Sequence, residues 1–196
     1  MQSAPCQNGN FAILPNSNYA IKKNDICREK TISSIVLQRI FEAARRAPSD
    51  QNQQPWHYLY ARQNHTSYNL LFSCINDEDK DWAIQAPVLM LSCYKTYDRF
   101  GNTNIFAKQD LHRSMACMQA QAEELGLSLY LIDSPMLPNT EKIFNLPEYI
   151  RAGGIMALGY KTEAHQATRT ETNRIKSPSN RIVRRFTHQF VHQNFW

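Results

Sequence analysis

The stretch Ala43-Ala44-Arg45-Arg46-Ala47-Pro48-Ser49-Asp50-Gln51-Asn52-Gln53-Gln54-Pro55-Trp56 decides how the rest of the chain is read. Upstream of it, Ile32, Ile35, Val36, Ile40 and Ala44 fall on one face at helical spacing, and Pro48 brings that predicted helix to an end. Downstream, Trp56, Tyr58 and Tyr60 alternate with His57, Leu59 and Ala61, the period of a strand. Between the two lies a loop without glycine whose Ser, Asp, Asn and Gln side chains can all hydrogen-bond. Short polar loops held between rigid elements often carry binding groups. A capped helix end followed by a turn has the same composition. On physics alone the two readings stand level.

The order of residues separates them. Ala-Ala-Arg-x-Ala-Pro-Ser-x-x-Asn-x-Gln-Pro-Trp, filled here from Ala43 to Trp56, resembles the signature of the nitroreductase family, flavoproteins that bind FMN at a homodimer interface. The resemblance covers residues 22–192. It implies an α+β fold with three α/β/α layers, a mixed sheet flanked by helices, and an intertwined homodimer with an extended C-terminal tail. It also implies one domain over residues 1–196, with an N-terminal arm at 1–24 and a tail at 161–196 that wraps the partner subunit.

Composition agrees with a single domain. A chain of 196 residues, 42% hydrophobic and 20% charged, can bury a sizeable core. No apolar run reaches the roughly 20 residues of a membrane span, so no membrane partner is expected. Met1 to Asn10 shows no signal-peptide pattern. Cys6, Cys27, Cys74, Cys93 and Cys117 are scattered without a Cys-x-x-Cys pair. This is the usage of reduced thiols, and the expectation is a cytoplasmic protein. The net charge of +5 resides in residues 161–196, where Lys161, Arg169, Arg174, Lys176, Arg181, Arg184 and Arg185 outnumber Glu163 and Glu171. A basic tail suits nucleic acid or a single phosphate group. Aromatic residues are not interleaved with the cations as in a base-stacking platform, which argues against nucleic acid.

Along the chain, Tyr68 to Ile75 reads as a helix, and Asp77 to Asp81 as an acidic surface turn. Ala86 to Tyr94 is a continuous apolar run, the pattern of a strand covered on both faces. Tyr97 to Ala107 is a loop without hydrophobic pattern. Gln109 to Leu125 is the longest predicted helix, with Leu111, Met115, Met118, Ala122 and Leu125 in one stripe and Gly126 as its terminator. Leu127 to Asp133 reads as a strand, Thr140 to Leu146 as a short helix capped by Asn139, and Gly153 to Tyr160 as a last strand.

The resemblance also implies a site. The family opens with an Arg-Arg-Ser-x-Arg pattern that holds the FMN phosphate. This chain has Ile21-Lys22-Lys23-Asn24-Asp25 there, so Lys22 and Lys23 stand in as point charges without the planar fork of arginine. Arg46, Pro48, Ser49, Asp50 and Asn52 are the implied cofactor contacts of the signature loop. Ile132, Asp133 and Ser134 follow at the strand end that faces the flavin in the family. Arg184 and Arg185 fall near the family's last phosphate-binding basic pair. The implied activity is an FMN-dependent oxidoreductase that transfers hydride from NAD(P)H to nitroaromatic, quinone or related small-molecule acceptors. The alternatives are another redox reaction on the same fold, or a flavin-binding protein without turnover.

No phosphate-loop, Gly-x-Gly-x-x-Gly or Gly-x-Ser-x-Gly pattern is present, so nucleotide hydrolysis and serine-hydrolase chemistry have no anchor. His188 and His192 have metal-site spacing but no third ligand nearby, and no metal is expected. Cys93 sits inside a predicted buried strand, a poor place for a nucleophile. No side chain is expected to act as an essential acid or base.

Overall fold

The computed structural model describes residues 26–132 and 137–162. The expected arm, Lys22, Lys23, Asp133, Ser134 and the tail beyond residue 162, with Arg184, Arg185, His188 and His192, lie outside the described residues. The elements are β1 (Ile26–Cys27), α1 (Ser34–Arg45), a single 3-10 turn (Asp50–Asn52) and β2 (Trp56–Arg62). There follow α2 (Thr66–Ser73), α3 (Asp77–Ala83), β3 (Val88–Lys95), α4 (Ala107–Glu124), β4 (Leu127–Ile132), α5 (Leu137–Ile143) and β5 (Ile150–Lys161).

β5 is the centre of the sheet. It pairs β3 on one side and β4 on the other, β2 lies outside β3, and β1 meets the far end of β5 at Ile26 and Lys161. Every one of these ladders is antiparallel, so among the described residues the sheet is not the mixed one expected. The reason is topological. β3, α4 and β4 form a crossover whose two parallel strands are not neighbours, because β5 returns between them. Alternation of helices and strands in the sequence cannot reveal that insertion.

The core has two halves, one on each face of this sheet. Alternation along the strands separates them, since successive side chains of a strand point to opposite faces. Val88 and Met90 of β3 and Met156 and Leu158 of β5 join Leu37, Ile40 and Ala44 of α1 and Leu111, Met115 and Met118 of α4. Leu89, Leu91 and Cys93, with Ile155 and Ala157, join Leu71 of α2 and Trp82 and Ala83 of α3. Helix, sheet and helix therefore make three layers, as expected. Every residue from Val88 to Cys93 is buried, which accounts for the unbroken apolar run.

α1 begins at Ser33, whose Oγ accepts from the Val36 N–H at 3.3 Å. Arg62 of β2 donates to the Ile32 carbonyl at 2.5 Å and fixes the entry of the chain into this helix. Ile35 departs from expectation: it is 73% exposed. Five residues separate it from Ile40, about 140° round a helix, so the two cannot share the core face. The inward positions are Leu37, Ile40 and Ala44, with Ile32 buried just ahead of the helix.

The acidic run at Asp77 forms α3 rather than a turn. Asp77, Glu78 and Asp79 occupy its first turn, where the helix dipole favours negative charge. Trp82 and Ala83 supply the buried side, and the indole N–H donates to Asp79 Oδ1 at 2.8 Å. Asn139, expected as a cap, lies inside α5.

α4 packs close against the sheet because β5 carries Gly153 at a bulge opposite Ser92 and Cys93. A Cβ at Gly153 would meet Leu111 Cδ2 at 2.3 Å, and Leu111 is fully buried. Ser92 Oγ donates to the Gly154 carbonyl at 2.9 Å and satisfies the strand there.

Candidate functional site

The signature loop leaves α1 at Arg46 and enters β2 at Trp56. It owes its shape to backbone conformations that side-chain-bearing residues seldom adopt. Gln51, Asn52 and Gln54 have φ of 45°, 56° and 46°. Local bonds close the turn. Asn52 N–H donates to Ser49 O at 3.1 Å and Gln53 N–H to Asp50 O at 2.9 Å. Gln54 N–H donates to Ser49 Oγ at 3.0 Å, and the Gln54 side-chain amide to Asn52 Oδ1 at 3.0 Å. The Ser49 hydroxyl hydrogen and the Asn52 side-chain N–H groups then have no acceptor among the described residues, and the Asp50 carboxylate accepts no hydrogen bond there.

Among the described residues three tethers hold the loop from outside. Asp110 Oδ2, on the first turn of α4, accepts from the Asp50 N–H at 2.9 Å. Gln53 Oε1 accepts from the Arg99 N–H at 3.2 Å, linking the loop to the segment after β3. Lys95 N–H donates to the Pro55 carbonyl at 2.8 Å. The segment after β3 is itself built around Asp98, whose Oδ1 accepts from Phe100 and Asn102 N–H groups, both at 2.8 Å. It exposes Phe100 and Ile105.

The structure brings Ser49, Asp50 and Asn52 together in this loop, with Pro48 exposed at its start. Arg46 is engaged by Glu42 of α1. Its Nε donates to Glu42 Oε1 at 3.0 Å, while Arg45 binds the same carboxylate with two bonds of 2.7 Å. These arginines, Arg45 first, hold the Glu42 carboxyl down at about 2. Arg46 lines an open groove of about 620 Å³ between α1 and α4, with Ile35, Arg39 and Gln121, that none of Ser49, Asp50 and Asn52 lines. Ile132 is the last residue of β4, buried among the α2 and α3 side of the core. Trp56 is half-buried and packs on the α1 and α4 side, a core role rather than a free stacking face.

Asp110 was not singled out by the sequence. Its signal was the helix face Ala107, Asp110 and Ser114, spaced by three and four, which proves wholly buried. Ser114 receives the Tyr58 hydroxyl in a hydrogen bond that ties β2 to α4. Burial pushes the Tyr58 phenol up to about 12. Burial first, and Glu141 second, push the Cys93 thiol up to about 12, which disfavours the thiolate. Among the described residues no group of three His, Cys, Asp or Glu could hold a metal ion. No helix there is long and apolar enough to cross a membrane.

No family model matches the sequence, and no curated protein matches it. Solved structures do match the fold. An oxidoreductase containing FMN superposes with a TM-score of 0.69 at 17% identity, covering 98% of this chain and 100% of its own. An FMN-dependent nitroreductase from Clostridium difficile gives 0.63 at 18% identity, over 89% of this chain and 96% of its own. A nitroreductase family protein from the same organism gives 0.58 at 24% identity, over 81% and 95%. The fold of this chain is that of the nitroreductase-like FMN oxidoreductases.

Proposed function

We propose that the chain is an FMN-dependent oxidoreductase that transfers hydride from NAD(P)H to a nitroaromatic, quinone or related small-molecule acceptor. The observation that carries this is the Ala43–Trp56 signature, held in a tethered polar loop on a fold shared with FMN oxidoreductases. The loop's donor set fits the cofactor. A flavin ring presents carbonyl oxygens and ring nitrogens along one edge, and Ser49 and Asn52 have N–H and O–H groups without an internal acceptor. FMN, when bound, supplies the hydride chemistry itself.

This chain's own residues have the remaining tasks. Ser49 and Asn52 orient the ring by donation, Pro48 shapes the loop, and Asp50 accepts from hydroxyl or N–H groups. Ile132, with Asp133 and Ser134 after it, contributes at the end of β4. Lys22, Lys23, Arg184 and Arg185 supply cations for the phosphate. Because the groups are spread over both ends of the chain, the site is proposed to be completed in a homodimer. Arg46 serves it only if its ion pair with Glu42 opens.

That engaged Arg46, together with lysines where the family has arginines, supports a second reading: a flavin-binding protein without turnover. One experiment separates the two. FMN-loaded protein is mixed anaerobically with NADH or NADPH, and a quinone or nitroaromatic is then added. Bleaching of the flavin absorption followed by its return supports the enzyme. Bound flavin that neither nicotinamide reduces supports the binder, and failure to take up FMN contradicts both.

A further inference from the structure

We propose that Asp110 is a positioning residue for the FMN site, its buried carboxylate holding the signature loop in its binding conformation through the Asp50 backbone N–H. The proposal rests on the flavin reading above. Asp110 is fully buried and reaches across 60 residues of sequence to accept from Asp50 at 2.9 Å. Its other oxygen takes the Arg113 guanidinium at 2.5 Å.

An ordinary ion pair of the i,i+3 kind would need none of this. Such pairs form on helix surfaces, and Arg113 is indeed 44% exposed, but the Asp110 side chain is at 0%. A buried carboxylate is disfavoured unless its oxygens are occupied. Here one oxygen is occupied by the loop and the other by the cation. The loop in turn needs a fixed point. Gln51, Asn52 and Gln54 are all left-handed, a state that residues with a Cβ leave readily. The remaining hydrogen bonds of the turn are local and relax with it. Of the outside tethers, the Gln53–Arg99 bond is exposed and the Pro55 bond lies beyond the turn. Among the described residues only Asp110 grips the turn from a rigid, buried element.

The test uses the full chain with Asp110→Leu, Asp110→Asn and, as a control for general destabilisation, Met118→Ala in the same helix. Met118 is fully buried in the core and takes part in none of the loop's hydrogen bonds given above. Amide exchange over residues 49–55 is measured without flavin, and FMN affinity is then measured by fluorescence titration. In Asp110→Leu, loop exchange should rise at least tenfold above that of the Met118→Ala protein, and FMN affinity should fall at least tenfold.

Asp110→Asn keeps an acceptor for the Asp50 N–H, while half-exposed Arg113 can turn to water. This variant should restore FMN affinity to within about fivefold of wild type. Loop exchange no faster than in Met118→Ala overturns the proposal. So does an Asn variant as weak as the Leu variant, or a loosened loop with unchanged FMN affinity. If wild type binds no FMN, the functional reading fails and the proposal with it, whereas the exchange data still report whether Asp110 holds the loop.

Discussion

One backbone hydrogen bond, from Lys95 N–H to the Pro55 carbonyl, joins two stretches built on opposite rules. β3 is buried from Val88 to Cys93 and needs no instruction beyond its own composition. An unbroken apolar run must be covered on both faces, and α1, α4, α2 and α3 cover it. The loop from Ala47 to Pro55 has polar, exposed residues in left-handed conformations, fixed by groups 46 and 60 residues away. The strand carries the free energy of folding, and the loop uses that rigidity to hold donors in place. Stability and binding should therefore separate when each stretch is altered.

The largest effect expected is on β3. Leu91→Ala removes a fully buried side chain from the sheet's centre and should cost about 2–5 kcal/mol in denaturant unfolding. FMN affinity per folded molecule should stay within a few fold of wild type. Asn52→Ala, by contrast, should cost about 1 kcal/mol, the strain of alanine at a φ of 56° on an otherwise exposed side chain. Equal costs at the two positions would break the comparison.

A smaller effect concerns pH and sharpens the same contrast. Cys93 has its thiol raised by burial from 9.0 to about 12, so the folded state favours the neutral form. The associated stability is fully present below pH 9 and is lost as pH rises toward 12, because only the unfolded chain ionises in that window. By pH 10 the loss should be about 1.4 kcal/mol, and Cys93→Ala should remove it from the urea-unfolding profile. An unchanged alkaline slope in that variant would show that the strand's interior is wetter than described.

What was legible in the sequence follows the same division. α1, β2, α2, β3, α4, β4 and β5 announced themselves by periodicity, because each buries one face or both. α3 did not, since its acidic first turn resembles a solvated bend until Trp82 and Ala83 are seen to be buried. β1, only two residues long, has no pattern to detect. Ile35 was placed on one helix face with Ile32, Val36, Ile40 and Ala44, although its angle from Ile40 puts it outside. The antiparallel sheet was illegible because strand order depends on β5 entering between β3 and β4.

In the candidate site, the loop's residues were named through resemblance, whereas its conformation could not be. Gln51, Asn52 and Gln54 are left-handed without a glycine to signal it. Asp110, which holds the turn, looked like one more polar residue on a long helix. Arg46 was expected at the flavin through the resemblance alone, as the signature position where family members place a flavin-contacting arginine. The i,i+4 spacing to Glu42 already contained the competing partner, and the ion pair is what the structure shows.

The central claim is that the donors of the Ala47–Pro55 loop bind FMN. Fluorescence titration of FMN into wild type and into Ser49→Ala/Asn52→Ala, with thermal unfolding of both, tests it most directly. Two hydrogen bonds of about 1 kcal/mol each correspond to at least tenfold in affinity. The account predicts saturable binding by wild type, at least tenfold weaker binding by the double variant, and thermal midpoints within a few degrees. A wild-type protein that leaves FMN fluorescence unchanged, or two proteins of equal affinity, would contradict it.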